Sequence, residues 1–168
     1  MDIISESQYI FEKQAFKKLL IDARMHEIVY AETFSLIFYN KYPENDWMPK
    51  KMHLIIDAPF WVGDKSNWEK LIQEEGIIEM KDNMIAYELA NIRYHNLIGV
   101  QKIDFLEKYL CIFLEGEKVL SIAYDNESDY AWILEDDKDL QERVIVGCDG
   151  IRHLTMKSCA KWQNFLRK

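Results

Sequence analysis

Residues 120–139 read LSIAYDNESDYAWILEDDKD, and this stretch decides the predicted fold. The two apolar segments within it, 120–124 and 130–134, contain the β-branched and aromatic residues that favour strands. The polar run DNESD that joins them is typical of a turn. The sequence therefore predicts two strands joined by an acidic turn, and a second acidic cluster follows them at residues 135–139.

The segment before this stretch extends the same pattern. Residues 110–114 are apolar enough for a strand, and the run Glu115-Gly116-Glu117-Lys118 is suited to a turn. Together with 120–124 and 130–134, this strand predicts a three-stranded antiparallel meander. Residues 143–146 are predicted to add an edge strand to it, and we consider a homodimer through that edge possible.

Amphipathic segments stand at both ends of the chain. Residues 6–24 have apolar side chains at helical spacing, with lysines between them. Residues 151–168 show a similar apolar stripe, which includes Trp162 and Phe165. The predicted fold class is therefore α+β: a central antiparallel sheet (meander) with N- and C-terminal helices packed against it.

The middle of the chain gives mixed signals. Residues 27–42 are rich in strand-forming residues, but their length and apolar spacing favour a helix to about Phe38, with a strand as the alternative. We predict a strand at 52–58 and a capped helix at 67–75. The remaining predictions are a loop at 59–64, a hairpin formed by 77–80 and 84–90, and a short helix at 103–110.

Length and composition restrict the class of protein. The 168 residues fit a single domain, 1–168, and 49% apolar with 30% charged residues is ordinary for a globular fold. Three cysteines without CxxC spacing predict reduced, buried thiols, and neither a signal peptide nor a membrane-spanning run is apparent. We therefore expect a cytoplasmic protein that does not enter a membrane.

The charge of the chain points to a class of partner. The net charge of −8 opposes binding to nucleic acid and favours cationic proteins. Ten carboxylates lie between residues 115 and 142, against two lysines. We therefore predict a basic protein partner and no nucleic acid.

The sequence carries no recognisable motif for chemistry. Its four histidines are far apart and none belongs to an HExxH motif, so no metal site is predicted. Its six glycines stand singly, without the spacing of a phosphate-binding loop. We predict no cofactor, no catalytic residue and a protein that is not an enzyme.

The predicted partner-binding surface belongs to the stretch quoted above. Two aromatic residues, Tyr130 and Trp132, share one face of their strand and are expected to dock a cationic protein surface if Ala131 and Ile133 face the core. If the sheet is covered on both faces, Trp132 is instead buried. The predicted contact residues are Asp125, Glu127, Asp129, Tyr130, Trp132, Glu135, Asp136 and Asp137.

In size, acidity, aromatic content and lack of a catalytic motif, the chain resembles bacterial immunity proteins of contact-dependent inhibition and related polymorphic toxin systems. This resemblance implies that the protein neutralises a cognate toxin, often a nuclease, by blocking its substrate channel with carboxylates. Two alternatives stay open. One is a small hydrolase-like enzyme with a site assembled from Asp57, Glu88 and His95. The other is a regulatory or assembly module that binds another cellular protein.

Overall fold

A computed structural model describes residues 6–40, 49–74, 76, 78–124, 131–136, 145–148 and 154–156. Its helices are α1 (Glu6–Leu20), α2 (Lys65–Leu71) and α3 (Asp82–Tyr94). Its strands are β1 (Arg24–Tyr30), β2 (Phe34–Tyr39), β3 (Lys51–Ile56), β4 (Phe60–Asp64), β5 (Val100–Phe105), β6 (Tyr109–Leu114), β7 (Lys118–Ala123), β8 (Trp132–Asp136), β9 (Ile145–Cys148) and β10 (Leu154–Met156). The α+β prediction is confirmed.

The strands form two antiparallel sheets rather than one. The first sheet has six strands in the order β1-β2-β3-β8-β9-β10, and the second has four in the order β4-β7-β6-β5. The predicted meander is therefore wrong at its last step. Although β6 pairs with β7 through the predicted turn, β8 leaves that sheet and pairs with β3, with Trp132 opposite Ile56. A strand is present near the predicted 143–146, as β9, but its predicted place at the edge is wrong, because β9 pairs with β8 on one side and β10 on the other.

Residues 27–42 were expected to be helical, and the structure has a hairpin there. The strands β1 and β2 pair around a turn at residues 31–33, where the backbone N–H of Ala31 donates to the carbonyl of Thr33. This turn contains no glycine, proline or asparagine, so no typical turn-forming residue marked the boundary between the two strands in the sequence. The alternative assignment to strands, which the β-branched and aromatic residues indicated, is the correct one.

Three further local predictions are wrong. The expected loop at 59–64 contains strand β4, the expected hairpin at 77–90 contains most of α3, and the expected helix at 103–110 contains parts of β5 and β6. In α3 the buried residues Ile85, Leu89 and Ile92 repeat at helical spacing, and this period outweighs the turn-forming residues before it.

The predictions for the two ends of the chain differ in their outcome. Helix α1 confirms the predicted N-terminal helix. In the predicted C-terminal helix, residues 154–156 form strand β10 instead, antiparallel to β9. The other residues of that segment lie outside the described part of the chain.

A shared hydrophobic core joins the two sheets. It includes residues of the six-stranded sheet such as Leu54 and residues of the four-stranded sheet such as Ile112. Phe16 of α1 reaches both sheets, because its ring lies 4.9 Å from that of Trp132 and 5.5 Å from that of Phe105. Trp132 is therefore a central core residue, and its side chain is fully buried.

A second, smaller cluster covers the outer face of the four-stranded sheet. Trp61 and Trp68 pack there with Tyr109 beneath α2 and the segment that follows it. The Tyr109 hydroxyl donates to the carbonyl of Gly76 at 2.8 Å and accepts a hydrogen bond from the backbone N–H of Ile78 at 2.9 Å. This hydroxyl therefore fastens Gly76 and Ile78 to the sheet, a few residues before α3 begins.

Candidate binding site

An acidic pocket opens where four parts of the chain meet. Its lining comes from the β1–β2 turn, the end of β3, the residues directly before α3 and the first turn of α3. The cavity measures about 310 Å³, at the lower end of the range for ligand pockets. This volume suits a side chain or a small molecule.

Four carboxylates line the acidic pocket, and each comes from a different position along the chain. They are Glu32, Asp57, Glu79 and Asp82. No lysine, arginine or histidine is among the described residues that line it. Negative charges gathered in a concave site reinforce one another's potential, so the pocket attracts cations.

The apolar wall of the acidic pocket is formed by aromatic rings from three strands. Phe34 of β2 packs edge-on against Phe60 of β4, with 5.6 Å between the ring centroids. Tyr30 tilts over Phe34 at 4.6 Å, although more than half of the Tyr30 side chain remains exposed. A cation that entered the pocket would therefore meet carboxylates on one side and aromatic carbon on the other.

Tyr30 and Asp82 connect β1 to the start of α3. The Tyr30 hydroxyl donates a hydrogen bond to Oδ2 of Asp82 at 2.9 Å. This hydrogen bond raises the pKa of Tyr30 above its ordinary value, and the charge of Asp82 adds to the effect. Asp82 also lies in the first turn of α3, where a negative charge is favourable to the helix dipole.

Hydrogen bonds with a backbone carbonyl and with a tyrosine hydroxyl hold the other two segments of the acidic pocket in place. The N–H groups of Asp57 and Ala58 both donate to the carbonyl of Ala131, which anchors the end of β3 to the start of β8. The Tyr109 hydroxyl holds the backbone of Gly76 and Ile78, and Glu79 follows directly. The carboxylates are thus presented by segments whose backbones are tied to the sheets.

The arrangement suits an organic cation better than a metal ion. In the part of the chain that the structure describes, no group of three or more His, Cys, Asp or Glu residues is close enough to hold a metal. A metal ion requires oxygen ligands within about 2.0–2.6 Å, whereas a guanidinium or ammonium group can be contacted by carboxylates spread over a wider cavity.

A second cavity of the structure differs from the acidic pocket in its charges. That second cavity, of about 340 Å³, is lined by both lysines and carboxylates. Lys102 lies 3.0 Å from Asp104, and Lys65 lies 3.9 Å from Glu117. Its charges therefore compensate one another, which those lining the acidic pocket do not.

The residues predicted as the partner-binding surface are not brought together with this pocket. Trp132 is fully buried, so it does not serve as an exposed anchor; the alternative, that it belongs to the core, is correct. Along β8, Trp132 and Leu134 face the core, whereas Ile133 and Glu135 on the opposite face are only partly buried. An exposed Trp132 required Ile133 to face the core, and the structure has the opposite arrangement.

The rest of that predicted surface is described only in part. Glu135 stands opposite His53 of β3, and Asp136 ends β8 opposite Met52. The other predicted contact residues, Asp125, Glu127, Asp129, Tyr130 and Asp137, lie outside the described residues.

The residues considered for an enzyme do not converge. Asp57 lines the acidic pocket, and Glu88 lines a separate hollow beside α2. His95 follows the end of α3, seven residues beyond Glu88 and therefore about 10 Å further along the helix axis. These three side chains do not share one cavity.

Sequence reasoning missed the acidic pocket because its carboxylates are distant along the chain. The one signal available was that Asp57 and Glu79 each border an apolar segment.

Comparison with protein-family models, curated proteins and solved structures found no match. Among the described residues, no helix has both the length and the apolar character needed to cross a membrane.

Proposed function

We propose that this protein is a small acidic binding protein that neutralises a basic protein partner. The observation that carries the proposal is the acidic pocket, with four carboxylates and no basic residue among its described lining residues. A lysine or arginine side chain of the partner enters the pocket and is surrounded by Glu32, Asp57, Glu79 and Asp82. The aromatic wall at Tyr30 and Phe34 packs against the apolar stem of that side chain.

The partner that we propose is a bacterial toxin domain with nuclease activity, in the cytoplasm of the cell that makes the inhibitor. The resemblance to immunity proteins supports this class, as do the net charge of −8 and the acidic pocket. Nucleases bind phosphate with lysine and arginine, so carboxylates that occupy those residues block the substrate channel.

Electrostatic attraction raises the association rate of the complex and makes the protein selective for a basic partner. Each carboxylate about 4 Å from the bound cation contributes about 1 kcal/mol in water and more in a partly desolvated pocket. Long-range attraction between the acidic protein and a basic partner raises the association rate, and salt screens this attraction. A neutral or acidic protein gains neither advantage.

The experiment begins with the purification of the tagged protein from its native host and the identification of the protein that accompanies it by mass spectrometry. The affinity is then measured with purified partner at several salt concentrations. We expect a basic partner, an association rate that falls as salt rises, and a loss of affinity of at least about tenfold in Glu32→Gln/Asp57→Asn, because removal of a close charge costs more than about 1.4 kcal/mol.

The matched control is Glu69→Gln/Glu107→Gln, which removes the same number of charges from exposed positions that do not line the acidic pocket. We expect it to change the affinity by less than about threefold, because it alters only long-range steering. If the pocket variant and the control bind equally well, or if the partner is acidic, the proposed function is wrong.

A further inference from the structure

Another cavity with carboxylate side chains adjoins the acidic pocket. It is the hollow beside α2, which measures about 490 Å³ and is lined by residues of α2, β4, α3 and the segment between the two helices. Met80 is half-buried and lines both cavities, so they share a wall at this residue. The two cavities are therefore neighbouring compartments of one groove.

Two elements run past both compartments and give the distance between them. On α3, Asp82 lines the acidic pocket and Glu88 lines the hollow, and six residues of helix advance by about 9 Å along the axis. On β4, Phe60 lines the acidic pocket and Gly63 lines the hollow, and three residues of strand advance by about 10 Å. Both elements thus place the compartments about 10 Å apart.

The hollow beside α2 carries an excess of negative charge. Its carboxylates are Asp64, Glu74 and Glu88, and Lys70 is the one basic residue among its described lining residues. Asp64 is already engaged by Lys118, whose Nζ lies 2.6 Å from the Oδ1 atom of Asp64. No ion pair among the described residues includes Glu74 or Glu88. These two carboxylates can therefore hold a cation supplied from outside the chain.

The hollow also has an apolar wall beside its carboxylates. Trp61 is almost completely buried, and its ring packs against the backbone of Gly63, where a Cβ atom would come within 2.9 Å of two ring carbons. Met80 extends this wall towards the acidic pocket. Lysine and arginine suit such a site, because their stems pack against carbon while their charged ends reach carboxylates. The acidic pocket offers the same combination through Tyr30 and Phe34.

We infer that the hollow beside α2 is a second cation compartment, and that the two compartments together hold two basic side chains, about 10 Å apart, from one segment of a partner protein. The inference rests on the proposed function, because the acidic pocket receives the first of the two side chains. Glu74 and Glu88 contact the second. In an extended segment, this distance separates residues three positions apart.

Two linked compartments make the protein selective for closely spaced basic residues. Once one basic side chain of a segment is bound, the other is held near its own compartment at a high effective concentration, so the affinity exceeds that for a single cation. A surface with clustered lysines and arginines, such as one that binds nucleic acid, provides such pairs. A partner with isolated basic residues fills one compartment and is bound more weakly.

Titration with two synthetic peptides, followed by NMR of the isotope-labelled protein, tests the inference. The capped tetrapeptides Arg-Gly-Gly-Arg and Arg-Gly-Gly-Gln have the same length but carry two cations and one, respectively. At about 10 mM salt, where the Debye length is about 30 Å, we expect the two-arginine peptide to bind at least about fivefold more tightly. We expect it to shift amide resonances beside Glu74 and Glu88 as well as those beside Glu32 and Asp57.

Variants of the hollow make the test specific, and circular dichroism verifies that each is folded. In Glu74→Gln/Glu88→Gln, we expect the two peptides to bind with affinities within about twofold of each other, because one compartment remains. The control Glu69→Gln/Glu107→Gln should keep the wild-type preference. Lys70→Gln removes the opposing charge, so we expect it to bind the two-arginine peptide at least about twofold more tightly than Lys108→Gln, which removes a charge from an exposed position outside both cavities.

Three results would each overturn the inference: a wild-type protein that binds both peptides equally, a Glu74→Gln/Glu88→Gln variant that keeps the preference for two arginines, or no binding of either peptide. The proposed function is judged separately, by the effect of Glu32→Gln/Asp57→Asn on the affinity for the purified partner. A loss of affinity in that variant, without a preference for two arginines, would leave the acidic pocket as the binding site and remove the second compartment.

Discussion

Substitution Tyr109→Phe tests how the segment before α3 is held in place. The Tyr109 ring is almost completely buried, and its hydroxyl hydrogen-bonds with both the Gly76 carbonyl and the Ile78 N–H. Phenylalanine retains the packing of the ring but removes both hydrogen bonds. The variant therefore isolates the contribution of one hydroxyl group.

The expected effect follows from these two hydrogen bonds. Each contributes about 0.5–1.5 kcal/mol, so the free energy of unfolding should fall by about 2 kcal/mol. For a protein of this size, that loss corresponds to a decrease in melting temperature of about 4–8 °C. Because the hydroxyl bonds to the backbone of Gly76 and Ile78, the backbone amide of Ile78 should also exchange hydrogen faster.

Differential scanning calorimetry and hydrogen exchange measure these two effects. Tyr94→Phe is the matched control, since that side chain is exposed on the same protein and its loss of a hydroxyl should change stability by less than about 0.5 kcal/mol. If Tyr109→Phe melts at the same temperature as Tyr94→Phe, and Ile78 exchanges at the wild-type rate, the hydroxyl does not hold this segment.

Three further predictions follow from individual side chains. Trp132→Ala should lower the free energy of unfolding, measured by urea denaturation, by about 3–5 kcal/mol, because it leaves a cavity at a fully buried site. A loss below about 0.5 kcal/mol would indicate an exposed residue instead. Burial raises the pKa of the Cys111 thiol to about 12. At about pH 8, iodoacetamide should therefore modify Cys111 in the native protein at least about 100-fold more slowly than in urea. Peptide mass spectrometry measures both rates, and equal rates would contradict this burial. The hydrogen bond to Asp82 raises the pKa of Tyr30, so its contribution to stability is present below about pH 10 and is lost as the pH rises through the folded-state pKa. The difference in ultraviolet absorbance between wild type and Tyr30→Phe reports the ionisation of Tyr30, and its midpoint should lie above pH 10. When Asp82→Asn is introduced into both proteins, this midpoint should move to a lower pH. An unchanged midpoint would contradict the hydrogen bond as the cause.

Local sequence patterns predicted elements where the pattern was unambiguous. Helix α1 and strand β3 have clear periodicity and were predicted correctly. The hairpin of β1 and β2 was missed, because its turn lacks the residues that normally mark a turn. Helix α3 was available to sequence reasoning, since Ile85, Leu89 and Ile92 repeat at helical spacing, but the polar residues before Met84 suggested a hairpin.

The candidate sites were harder to predict than the elements. The acidic pocket joins carboxylates that lie up to fifty residues apart, as Glu32 and Asp82 do, and only the chain topology places them together.

The sequence by itself determined the composition of the protein: an acidic chain with enough apolar residues for a core and both helical and strand patterns. It also showed that 130–134 is a strand-forming segment, and β8 occupies most of it. Only the tertiary structure decided which face of this strand is buried. Pairing with β3 sets Trp132 opposite Ile56 and against Phe16 of α1, in the core. A strand has two faces of opposite orientation, and its own residues did not determine which of them a neighbouring layer would cover.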